Sequence, residues 1–180
     1  HAVVEELVAN SYDADASTAV VLLNATANEL YVFDDGEGFD EEKIRIAATL
    51  GGGDKEQRPY SNKKRSFLGS YGVGLKSSLN IASAVKISSR SKQGYFSTNI
   101  DWNELEKILT NKEHKGFEYE QDKAQKSKYS GTCIRMILNK PTDKSHLNKY
   151  GKALSNLPTD KGKFLCYYGL YEEVASSLEN

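Results

Sequence analysis

Between residues 2 and 12 the apolar side chains Val4, Leu7 and Val8 fall on one side when successive residues advance by about 100°, which predicts a helix. Two runs rich in β-branched and aromatic residues follow, TAVVLLN at 18–24 and ELYVF at 29–33. A polar turn separates them, so they predict a β-hairpin. Asp40, with Glu41 and Glu42 behind it, has the chemistry of an N-cap for a short helix ending near the glycines at 51–53. Residues 51–66 are polar and glycine-containing and predict a mobile loop. In LGSYGVGLKSSLNIASAV glycines lead into a helix; residues 86–91 and 95–100 then read as a second hairpin. Residues 117–120 predict a further strand, and 131–139 (GTCIRMILN) another; 143–154 and 170–178 read as helices, and 107–128 is rich in lysine and glutamate. Helix, hairpin, helix, loop, helix and meandering strands predict an α+β fold, a two-layer sandwich with helices on one face of a mixed, mostly antiparallel sheet.

Composition narrows the function. A chain of 180 residues with 38% hydrophobic side chains and 3 prolines can bury one sizeable core, which excludes wholesale disorder and collagen-like structure. The longest apolar run, 18–23, is far short of the roughly 20 residues of a membrane-spanning helix, and no export signal opens the chain. Two cysteines, Cys133 and Cys166, are too few for a disulfide framework and lack metal-ligand spacing, so a reducing, intracellular compartment, cytoplasmic or nuclear, is expected. A net charge of −1 supplies no global field for nucleic acid or an acidic membrane, so a polyanion would need a local site. The first helix carries its polar motif from the outset, and a longer parent protein is expected.

Three clusters carry chemistry. Glu6, Asn10 and Asp13 lie within roughly 60° of arc on a helix and can converge on one ligand, or can simply form the solvated face of an amphipathic helix. Asp34-Asp35-Gly36-Glu37-Gly38 ends a strand in acids and then lets the backbone turn sharply, which suits either a carboxylate accepting from a base amino group or a plain acidic turn. The calcium-loop spacing is not met. Gly69, Ser70, Tyr71, Gly72, Val73, Gly74, Leu75 and Lys76 place glycines before a helix, where exposed amides suit phosphate, though a hinge would look similar. The register is not that of a P-loop.

In this order and within the first 80 residues or so, EELVANSYDAD, DDGEGF and GSYGVGLKS together resemble the ATPase superfamily of DNA gyrase B, the ninety-kilodalton heat-shock chaperones, the histidine kinases and MutL. The resemblance runs from Val3 to about Asn139 and implies an ATP-binding domain of the Bergerat type at 1–140, with 141–180 a helical continuation or the start of a next domain. It implies Glu6 as the general base that activates water, Asn10 as the ligand of Mg2+ and Asp13 as support for that region. Asp34 would read the adenine amino group, with Gly36 and Gly38 letting the base lie against the backbone and Phe39 lining the pocket. Thr132 would join Asp34 and a water at the base. Gly69 to Lys76 would wrap the phosphates of ATP, and residues 51–66 would form the lid. GSYGVGLKS and DDGEGFDEEKI look closest to the MORC, MutL and chaperone branches. The implied activity is ATP hydrolysis coupled to lid closure and to an ATP-dependent homodimer, with a nucleic acid or protein client reached through other regions. A non-hydrolysing nucleotide sensor or scaffold, and a histidine-kinase-type catalytic domain, stay open as alternatives. Lys55 and Lys63-Lys64-Arg65 can reach phosphate from the lid or remain solvated, with Lys76 the stronger candidate. Trp102 and the tyrosines read as packing, and His1, His114 and His146 as surface residues.

Overall fold

A computed structural model describes residues 2–40, 43, 68, 77–104, 119–123, 128–157, 159 and 162–178. The expected helix is α1, Ala2–Asp13. The expected hairpin is β1, Thr18–Asn24, with β2, Glu29–Asp34, paired antiparallel so that Ala19 faces Asp34 and Val21 faces Val32. Its turn closes because Asn28 takes a positive φ of 56° while the Asn24 side chain accepts from the Ala27 amide at 2.8 Å. A 3-10 turn, Ser78–Asn80, precedes β3, Ala82–Ser91, which pairs antiparallel with β4, Gly94–Asp101. Then come β5, Glu120–Asp122; β6, Gly131–Leu138; α2, Lys144–Leu154; β7, Leu165–Leu170; and α3, Tyr171–Leu178. The strands form one seven-stranded sheet in the order β5-β4-β3-β6-β2-β1-β7. Every pairing is antiparallel except β1 with β7.

Two elements differ from the sequence reading. β3 begins at Ala82, inside the stretch read as helix, because a register shift between Ala82 and Ala84 breaks the two-residue alternation that marks a strand. The parallel strand β7 was not expected, since most of its side chains stay exposed or half-exposed and no apolar alternation announces it. The short helix expected after Asp40, Lys43 apart, and residues 117 and 118 of the expected 117–120 strand lie outside the described residues; Glu120 begins β5, and the Asp40 carboxylate does accept from the Lys43 amide at 2.8 Å, as a cap would.

One face of the sheet carries the core. Val21, Leu23, Leu30, Val32, Ile87, Phe96 and Met136 are buried there with Val4, Leu7 and Val8 of α1 and Leu147, Tyr150 and Leu154 of α2. At about 1.5–3 kcal/mol for each large apolar side chain removed from water, this layer holds α1 against the strands. α1 touches both the sheet and α2, and Ala9, Ser11, Tyr12 and Asp13 are buried too, so the polar side of the helix is no ordinary solvated face. The α2 start is fixed by Asp143, whose carboxylate accepts from the Ser145 amide at 2.9 Å and pairs with His146, giving that histidine a capping task. These bonds hold the Asp143 carboxyl well below the usual carboxylate range. On the sheet's other face the Tyr31 ring stacks on Phe33 and on Tyr171 of α3, and Glu29 pairs with Arg135 and accepts from the Tyr31 hydroxyl. Burial and the Glu29 bond push the Tyr31 hydroxyl up to about 12. Trp102 is buried, in agreement with a packing role. Among the described residues no helix is long and apolar enough to cross a membrane.

Candidate functional site

The register across three strands builds the site. Thr132 of β6 lies opposite Asp34 of β2 on one side and opposite Ser89 of β3 on the other. Because opposed residues share a face, Ser89, Thr132 and Asp34 form a polar row across the core-facing side of the sheet. Phe96, opposite Ser89, closes the row at one end, and Ala19, opposite Asp34, closes it at the other.

The two acids that end β2 have different tasks. Asp35 Oδ1 accepts from the amides of Ser17 and Thr18, both at 2.7 Å, and so anchors the start of β1. Asp34 points into the core side: its Oδ1 accepts from the Gly36 amide at 2.9 Å and its Oδ2 from the Ser11 hydroxyl at 3.1 Å. Burial pushes the Asp34 carboxyl above the ordinary carboxylate range, while hydrogen bonds from Gly36, Ser11 and the Thr132 amide pull it back and the neighbouring Asp35 charge adds to the rise. With its folded pKa raised, Asp34 favours the folded state most when protonated, and that contribution is lost as pH rises through the folded value. Ionised, this carboxylate is therefore held in the fold at a cost.

Two glycines shape the loop after it. At Gly36 a Cβ would sit 2.8 Å from the Ala14 carbonyl oxygen, so glycine lets the loop pack on the end of α1, where the Glu37 amide donates to that same oxygen at 2.9 Å. Gly38 has a φ of +71°, and a Cβ there would lie 2.1 Å from the Arg90 carbonyl oxygen of β3. The chain thus turns back over β3, where the Phe39 amide donates to Ser89 Oγ at 2.9 Å and the Phe39 ring meets Phe96 at 5.5 Å between centroids.

From α1, Glu6 and Asn10 are half-buried and Asp13 is buried. Among the described residues Glu6 Oε2 is buried without a hydrogen-bond partner. Asp13 Oδ1 accepts from the Leu68 amide at 2.7 Å, tying the helix to the residue that precedes Gly69. The structure therefore brings Asp34, Gly36, Gly38, Phe39 and Thr132 together around the row, and sets Ser11 of α1 directly on Asp34. A cleft of about 320 Å³ at the Gly131 end of β6 reaches Asp34, Ser89 and Thr132 but neither Glu6 nor Asn10. Gly69 to Lys76, Lys55, Lys63-Lys64-Arg65, His1 and His114 lie outside the described residues. Sequence reasoning missed Ser11 and Ser89. Ser11 stands inside the quoted EELVANSYDAD motif next to Asn10, and its mid-helix hydroxyl was a signal available to it.

The fold and this site define an α+β domain with a half-buried carboxylate, Asp34, at the end of β2 beside a row of hydroxyls from β3 and β6. Residues 1–132 match the family model described as Histidine kinase-, DNA gyrase B-, and HSP90-like ATPase, and the chain belongs to that family. A search of curated proteins returned no match.

Proposed function

We propose that this chain binds and hydrolyses ATP with Mg2+ and serves as the ATPase module of a larger protein that closes a lid and dimerises on ATP. The branch we favour is that of the MORC, MutL and chaperone relatives, and we take 141–180 as a continuation of the domain. The observation that carries the reading is the contrast between two carboxylates. Asp34 is held by three donors, while Glu6 keeps a buried oxygen with none, at a cost of about 1–3 kcal/mol that a bound water or ligand would offset.

In this reading Asp34 accepts a hydrogen from the adenine amino group beside Thr132. Glu6 takes a proton from the water that attacks the γ-phosphate, the bond from that phosphorus to the bridging oxygen breaks, and ADP leaves with the bond's electrons. Asn10 supplies an uncharged oxygen to Mg2+, which offsets charge on the phosphates when bound. The residues present fit: Asn10 is a half-buried amide one turn along α1 from Glu6, and a carboxamide oxygen suits an ion that keeps its other positions for water and phosphate. Residues 69–76 wrap the phosphates and residues 51–66 act as the lid.

The test is hydrogen exchange with and without Mg2+ and an unhydrolysable ATP analogue, on the parent and on Asn10→Ala. Residues 51–66 of the parent gain protection only with both present, and Asn10→Ala loses the part that depends on Mg2+. Equal protection in all states would remove the lid and the magnesium assignment together.

A further inference from the structure

Ser89 is 2% exposed, yet its hydroxyl meets three groups from two different segments, the turn after Gly38 and the start of β6. It accepts from the Phe39 amide at 2.9 Å, donates toward the Gly131 carbonyl at 3.1 Å, and lies 3.1 Å from Thr132 Oγ1. A buried serine needs one good partner; three convergent ones make it the junction of the turn after Gly38 with β6. This bond restrains the Thr132 hydroxyl, and Thr132 stands opposite Asp34 in the same cross-strand row.

We infer that Ser89 is a positioning residue for base selection: through its bond to Thr132 Oγ1 it aims that hydroxyl, with Asp34, at the edge of a purine that carries an amino group. This rests on the adenine reading of Asp34 above. A 6-amino group donates and a 6-oxo group accepts, so the acceptor-rich Asp34 end of the row favours the first and leaves the second facing a carboxylate. Ser89 contributes by keeping Thr132 in register with that acceptor. Its effect should therefore fall on the base and not on the triphosphate.

The measurement is calorimetric affinity, in Mg2+, for an unhydrolysable ATP analogue and for its inosine counterpart, on the parent, Ser89→Ala, Thr132→Val and Asp34→Ala. The parent prefers the adenine compound. Ser89→Ala weakens that compound about two- to tenfold, the worth of one neutral hydrogen bond, and leaves the inosine compound nearly unchanged, so the preference shrinks. A purely structural serine would weaken both compounds alike, and that parallel loss, or no change in either, overturns the inference. Should Ser89→Ala fail to fold, Ser89→Cys, which keeps a side chain of similar size with weaker hydrogen bonds, decides between the same two outcomes, and Thr132→Val, which removes the aimed hydroxyl itself, sets the largest loss of preference that a Ser89 variant can reach. If Asp34→Ala binds the adenine compound as tightly as the parent, the adenine reading itself fails, whatever Ser89→Ala does.

Discussion

Glu6→Ala is expected to lower ATP turnover about 10²–10⁴-fold, the usual contribution of a positioned general base, while ATP binding stays nearly intact and the fold, relieved of an unpartnered buried oxygen, is no less stable. The reason lies in what Glu6 does not do. The packing of α1 comes from Val4, Leu7 and Val8, all buried against the sheet, and among the described residues Glu6 Oε2 is buried with no partner, so its removal breaks no hydrogen bond to them at that oxygen. Loss of a solvated surface carboxylate would be close to neutral in both rate and stability. The steady-state assay is run with ATP binding measured in parallel. If Glu6→Ala hydrolyses as fast as the parent while Asn10→Ala does not, the base lies elsewhere. If neither substitution changes the rate, the sensor reading replaces the ATPase one.

Gly38→Ala should destabilise the fold by about 2–5 kcal/mol. The left-handed backbone costs a residue with a Cβ about 1–2 kcal/mol, and forcing a methyl group against backbone adds about 1–3 more. Here the obstacle is the Arg90 carbonyl, 2.1 Å from the new Cβ, and strand backbone cannot swing aside as a side chain could. The stated range is a large share of a domain's usual 5–15 kcal/mol. Gly162→Ala is the control: its φ is +96° but nothing lies within 4 Å, so only the backbone part, about 1–2 kcal/mol, should appear. Urea midpoints for the two variants separate the contributions. Equal losses would mean that the loop after Asp34 is not pressed against β3.

Much of the core was legible because its signals are local. The Val4, Leu7 and Val8 spacing and the two apolar runs specify α1, β1 and β2, and the Asp34 glycine box follows directly from where β2 stops. What was not legible depends on register between distant segments. Ser89 gains its place only because β3 pairs with β6 and Phe39 returns over both, a relation spanning residues 39 to 132. Asp34 and Asp35 look alike in sequence. Only the strand's orientation decides that one meets Ser11 and the other the amides of Ser17 and Thr18. β7 was hidden for a different reason, since a parallel edge strand with mostly exposed side chains leaves no alternation to read. The structure also gives the glycines a task beyond admitting a base: both let the loop close on its neighbours.

The most direct measurement is calorimetric titration of an unhydrolysable ATP analogue, with Mg2+, into the parent and into Asp34→Ala, with both shown to be folded. Saturable binding to the parent is expected, with a loss of about 1.5–3 kcal/mol in the variant, the worth of a hydrogen bond to a charged group. Undiminished binding by Asp34→Ala, or no binding by the parent, would contradict the assignment of this pocket to adenine nucleotide.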